Sequence, residues 1–141
     1  MAKNILFLGD GGVGKTTFIQ QLLTSKHTPK YNPTLGFEVH PYHFYDNGVK
    51  KKFDIYDFAG QEVYSHKHYP LDISNVVIFY DSTSNISKNN AYARWTDIAN
   101  GAKILYVCTK TDLSPGVDTE NLKNISLKQD CDYNKIFKYF N

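Results

Sequence analysis

At 141 residues and 16.2 kDa the chain has room for one domain, residues 1–141, with a single core that needs no staples. Apolar residues at 41% and charged residues at 21% exclude a disordered chain, and a net charge of +2 is too weak a field to predict nucleic-acid or membrane-surface binding. Cys108 and Cys131 are too few for a disulfide scaffold and fit a reducing compartment. No apolar run approaches the ~18 residues of a membrane span, and no signal peptide or lipidation motif is legible, so an intracellular protein without a membrane anchor is expected.

Asn4 to Leu8 is a continuous apolar run that stops at Gly9, as a strand buried on both faces does. Lys15 to about Ser25 reads as a helix with Phe18, Ile19, Leu22 and Leu23 on one stripe. Gly36 to Tyr45 and Lys51 to Asp57 flank Asp46-Asn47-Gly48, a strong hairpin signal, and Pro41 marks the first of the pair as an edge strand. Val76 to Tyr80 and Ile104 to Cys108 are two more buried-strand runs, separated by a helical pattern from Lys88 to Ala99. Tyr133, Ile136, Phe137 and Phe140 form a last helical stripe. Such alternation predicts an α/β fold with a mostly parallel sheet and an antiparallel edge. Ligands in such sheets bind beyond the carboxyl ends of the strands.

Gly9-Asp10-Gly11-Gly12-Val13-Gly14-Lys15-Thr16 has the spacing G-x-x-x-x-G-K-[ST] between a strand and a helix. The glycines let backbone N–H groups turn inward onto phosphate oxygens, and the helix N-terminus adds its positive dipole end. Lys15 is expected on the terminal phosphates and Thr16 on Mg²⁺. Asp57 ends another predicted strand and suits a Mg²⁺ contact, direct or through water. Next to it, Gly60 can bring an N–H to a third phosphate and Gln61 can orient water. Thr34 lies in a polar loop between the first helix and the hairpin, and alone it reads as an ordinary loop residue.

Together these segments resemble the small GTPases of the Ras superfamily. GDGGVGKTTF (Gly9 to Phe18) and TLGFEVHP (Thr34 to Pro41) resemble the Ran branch most closely. The resemblance implies a P-loop G domain with a mostly parallel six-stranded sheet, one antiparallel edge strand, flanking helices and a shortened C-terminal half. It also implies GTP or GDP with Mg²⁺, slow GTP hydrolysis, and switch loops at about Lys30 to Glu38 and Ala59 to Leu71. Catalytic roles pass to Gln61, Lys15 and Thr34, and metal ligation to Thr16, Thr34 and Asp57. Nucleotide contacts pass to Asp10, Gly11, Gly12, Val13, Gly14, Lys15, Thr16, Thr17, His27, Tyr31, Thr34 and Gly60. At the base end, Thr109-Lys110-Thr111-Asp112 matches the family's [N/T]-K-x-D, with Asp112 accepting from guanine N1–H and its amino group. Ser126-Leu127-Lys128 resembles its S-A-K loop. Implied partners are an exchange factor, an activating protein and nuclear transport receptors, with a soluble protein in cytoplasm and nucleus.

The chain departs from the family at His27, where an aromatic packs on guanine, at Phe58, which replaces a threonine, and in shortened segments after Trp95 and from Leu113 to Ile125. The last helix stops at Asn141, early for this family, and an acidic tail of the Ran type is not expected. A non-enzymatic reading therefore competes: a guanine-nucleotide-dependent decoy that sequesters Ran partners. An ATP-using P-loop enzyme is disfavoured by Asp112. Lys50-Lys51-Lys52 reads as a solvated strand, His66-Lys67-His68 as exposed switch sequence, Tyr64 as either a docking or a local aromatic, and Cys108 as core packing.

Overall fold

Among the described residues seven strands make one sheet: β1 (Lys3–Gly9), β2 (Lys30–Asn32), β3 (Phe37–Asp46), β4 (Val49–Phe58), β5 (Asn75–Asp81), β6 (Lys103–Thr109) and β7 (Asn124–Ser126). Their order is β2-β3-β4-β1-β5-β6-β7. This computed structural model describes residues 3–10, 13, 15, 18–19, 30–32, 37–58, 74–99, 101–109, 124–126 and 134–140. β1 pairs in parallel with β4 and β5, β5 with β6, and β6 with β7, while β3 runs antiparallel to both β2 and β4. The mostly parallel sheet with one reversed strand is the expected one. It gains a three-residue strand outside the hairpin, formed by Lys30–Asn32 from the segment expected as the first switch loop.

The hairpin turns at Asn47 and Gly48, both at positive φ (51° and 79°), which matches the right-handed twist of the flanking strands. Counted from that turn, Pro41 falls opposite Asp54 at a non-hydrogen-bonded pair, so its missing N–H costs no bond to β4. On its other side, among the described residues, β2 pairs with Phe37 to Val39 and not with Pro41.

Strand periodicity divides the core between the two faces of the sheet. Ile5, Phe7, Val77, Phe79, Leu105 and Val107 face one way, against Phe18, Ile19, Ile136 and Phe137. Leu6, Leu8, Val76, Ile78, Tyr106 and Cys108 face the other, against Ala91, Trp95 and Ala99. Helices on both faces are what fully apolar parallel strands require. Phe18 packs on Phe7 and Phe79 at 5.7 and 5.3 Å between centroids, contacts worth about 0.5–1.5 kcal/mol each beyond area burial. The last helix (Asn134–Tyr139) stacks Phe137 on Tyr42 at 4.5 Å and Phe53 at 5.2 Å. Its terminal carbonyls accept from Lys3 Nζ (to Phe140, 2.9 Å) and Lys103 Nζ (to Tyr139, 2.7 Å), cations placed where the helix dipole favours them.

The central helix starts at Asn85, earlier than the pattern from Lys88 indicates, because Ser84 caps it by accepting from the Ser87 N–H at 3.2 Å. After Asn85–Asn90 comes a π segment, Ala91–Trp95, and then the short turn Thr96–Ile98. Both the N–H and the hydroxyl of Thr96 donate to the Ala91 carbonyl, the hydroxyl at 2.7 Å, which holds the wide turn open.

Candidate functional site

The chain leaves β1 first toward β4 and β3, then crosses to β5 and β6, so the sheet switches direction at β1. Gly9, the last residue of β1, opens the phosphate loop at that point, where α/β sheets bind ligands. Gly9 has φ 154°, and a Cβ there would sit 2.8 Å from the Phe79 carbonyl oxygen and 3.2 Å from Val13 Cγ2. Only glycine lets β1 and β5 lie this close at the mouth of the loop.

Three elements brace the loop. From β4, whose Asp57 lies in register with Phe7, the Asp57 carboxylate meets Lys15 Nζ at 3.0 Å. Both side chains are largely buried, at 9% and 13% exposure. The contact is an ion pair and not an aligned hydrogen bond, since Asp57 Oδ1 has no hydrogen-bond partner. From β6, the buried Thr109 hydroxyl donates to the Val13 carbonyl at 2.5 Å and lies 3.1 Å from the Tyr80 carbonyl. Thr109 thus joins the end of β6 to the phosphate loop.

From the central helix, Asn90 Nδ2 and Trp95 Nε1 each donate at 2.7 Å, one to each oxygen of Asp10. These residues are five apart, and a regular α-helix would place them about 140° apart around its axis. The extra residue in the π turn swings both toward Asp10. Hydrogen bonds to a charged group contribute about 1.5–3 kcal/mol each.

The structure therefore brings Asp10, Val13, Lys15, Asp57 and Thr109 together at the carboxyl end of the sheet. Tyr31 lies in β2, and Ser126 ends β7 beside Cys108 instead of sitting in a loop. Gly11, Gly12, Gly14, Thr16, Thr17, His27, Thr34, Gly60, Gln61, Lys110, Asp112, Leu127 and Lys128 lie outside the described residues. Sequence reasoning missed Asn90 and Trp95, since a tether from a distant helix has no spacing signature. It also missed Glu38, although counting outward from Asn47-Gly48 places Glu38 opposite Asp57.

Burial pushes the Cys108 thiol and the Tyr80 phenol up, so both stay neutral near pH 7. Cys108 is a packing residue of the inner sheet, as expected. The Asp57 oxygen, ion-paired with the lysine of the phosphate loop but accepting no hydrogen bond among the described residues, is a hard oxygen donor of the kind Mg²⁺ takes, so the residues present fit that ion.

A doubly wound sheet with a glycine-lysine loop at its switch point defines a phosphate-binding α/β domain. The family described as Ras of Complex, Roc, domain of DAPkinase matches residues 4–112, and the chain belongs to this family of small-GTPase domains. It is also similar to the GTP-binding nuclear protein GSP1 of Encephalitozoon cuniculi (strain GB-M1), 37% identical over 133 residues that cover 88% of this chain. The match spans 58% of that relative's length. The Ran-like resemblance read from Gly9 to Phe18 and Thr34 to Pro41 is thereby borne out.

Proposed function

We propose that this protein is a compact Ran-like molecular switch that binds GTP or GDP with Mg²⁺ and hydrolyses GTP slowly. The observation that carries this reading is Lys15 held at the mouth of the loop by Asp57, at the carboxyl end of β1. Lys15 exchanges Asp57 for the terminal phosphates when nucleotide enters, while N–H groups from Gly11 to Thr17 cradle the phosphate oxygens. Thr16, Thr34 and Asp57 would hold Mg²⁺, which when bound neutralises charge on the terminal phosphates. Gly60 and Thr34 follow the third phosphate and release when it leaves, and Gln61 orients the attacking water. His27, Tyr31, Thr109, Lys110, Asp112, Ser126, Leu127 and Lys128 form the base end, with Asp112 selecting guanine over adenine.

Arg94 is the chain's one arginine, and it is exposed on the central helix beside the buried Trp95. An arginine at the transferring phosphate accelerates hydrolysis by about 10³–10⁵, so the isolated protein works near the intrinsic Ras scale of about 10⁻⁴ s⁻¹ and a partner supplies the arginine. Exchange factors, activating proteins and transport receptors are the partners of this reading, and nucleocytoplasmic transport is its setting. The test is single-turnover GTP hydrolysis with and without a Ran-type activating protein. Stimulation in the parent chain and its loss in Gln61→Leu, with GTP binding retained, support the switch. Nucleotide-dependent capture of Ran partners with no stimulated turnover supports the decoy instead, and preference for ATP overturns both.

A further inference from the structure

Three buried polar atoms lack a hydrogen-bond partner among the described residues: both ring nitrogens of His40 and Asp57 Oδ1. All three lie in one place. Glu38 and His40 alternate along β3 and so share a face, and Glu38 is directly opposite Asp57 on β4. One ligand atom from each of Glu38, His40 and Asp57 lies within 4.8 Å of the other two. His40 Nε2 stands 3.3 Å from Glu38 Oε2, and His40 is only 5% exposed.

Among the described residues the buried His40 ring makes no hydrogen bond, only the 3.3 Å contact with Glu38, so its desolvation is poorly compensated and the ring can take a ligand. Lys15 already offsets the charge of Asp57; a dication would in addition engage the His40 ring nitrogen and both carboxylates at once. Mg²⁺ prefers oxygen in octahedral geometry, whereas imidazole with carboxylates suits zinc and its neighbours, with ligand distances of about 2.0–2.2 Å.

We propose that Glu38, His40 and Asp57 form a binding site for a transition-metal dication of the zinc class on the β3–β4 hairpin. The Lys15 ammonium competes for Asp57 Oδ1, so the metal and the Lys15–Asp57 ion pair oppose each other. The site stands without the nucleotide reading. If that reading holds, Asp57 is shared with Mg²⁺, and zinc loading opposes Mg²⁺·GTP loading.

The experiment titrates the full chain, stripped of nucleotide and metal, with Co²⁺ alone and follows the visible d–d bands. One Co²⁺ per chain, bleached by equimolar Zn²⁺ and not by Mg²⁺, is the expected result. Loss of an outer-shell partner already costs about 10–100-fold in metal affinity, so Glu38→Gln and His40→Gln should each weaken Co²⁺ binding at least about tenfold. Glu38 is 43% exposed, so Glu38→Gln keeps the fold and decides the matter if the buried His40→Gln does not fold. No d–d band in the parent chain overturns the proposal. So does a band that Mg²⁺ bleaches, or one that survives Glu38→Gln or disappears only on replacing His66 and His68.

Discussion

Gly9 shows how one missing atom sets the geometry of the phosphate end. Gly9→Ala drives a Cβ to 2.8 Å from a backbone oxygen at φ 154°, a conformation L side chains rarely adopt. The expected cost is about 1–3 kcal/mol or more, read as a lower urea midpoint with an unchanged slope. Thr109 tests a different bond. Thr109→Val keeps the shape but leaves the Val13 carbonyl without its hydroxyl, a loss of about 1–3 kcal/mol, whereas Thr109→Ser should retain most of it. Cys108 and Tyr80 determine the response to alkali. Their folded values lie above the ordinary 9.0 of the thiol and 10.0 of the phenol, so the unfolded chain loses these protons first. Their contribution to stability is complete below about pH 9 and falls as pH rises from there toward the folded values. Denaturation midpoints measured between about pH 7 and pH 11 should decline on the alkaline side, and Cys108→Ala should blunt the onset.

The central helix does more than cover one face of the sheet. Its π segment places Asn90 and Trp95 on Asp10, while Trp95 and Ala91 bury against Leu6, Leu8 and Ile78. One indole therefore sits in the core and grips the phosphate loop at the same time. Trp95→Phe keeps the packing and removes the N–H, so the fold should survive while GDP release quickens by about tenfold to a hundredfold, the effect of one hydrogen bond to a charged group. Trp95 is also the chain's only tryptophan, so its emission should change when nucleotide is exchanged for EDTA-treated, empty protein. Unchanged release in Trp95→Phe would show that the loop holds its shape without the helix. The hairpin contributes in a comparable way, since its register alone brings Glu38 and His40 beside Asp57.

Across the whole molecule, the bracing of the phosphate loop by β4, β6 and the central helix contrasts with the base end. On the proposed function three of the departures from the family, His27, Thr109 and Leu127, fall at that end, with the chain between the two base motifs cut back. Thr109 retains its tie to the loop, so on the proposed function His27 and Leu127 are the positions where a weaker grip on guanine is expected. GDP release should therefore be faster than in ordinary family members, with guanine still preferred over adenine through Asp112. Stopped-flow release of a fluorescent GDP analogue measures this, and His27→Phe should slow it. Release as slow as the family's, unaltered by His27→Phe, would make these substitutions neutral.

Sequence by itself determined the strands, because runs such as Ile5 to Leu8 and Val76 to Tyr80 are apolar at every position and have nowhere to go but between two helical layers. It determined the phosphate loop as well, since glycine spacing and the following lysine express a local backbone demand. The hairpin register was also legible, because Asn47-Gly48 admits one turn and every pairing follows from it. Tertiary structure decided the rest. β2 forms because Phe37 to Val39 offer an open edge, and three residues carry no pattern of their own. The Asn90 and Trp95 tether and the Thr109 bond to Val13 join residues between 80 and 96 positions apart, and no local propensity encodes such a distance. His40 reads in sequence as one more residue of a β-strand; only burial beside Glu38 and Asp57 makes its ring nitrogens a chemical question.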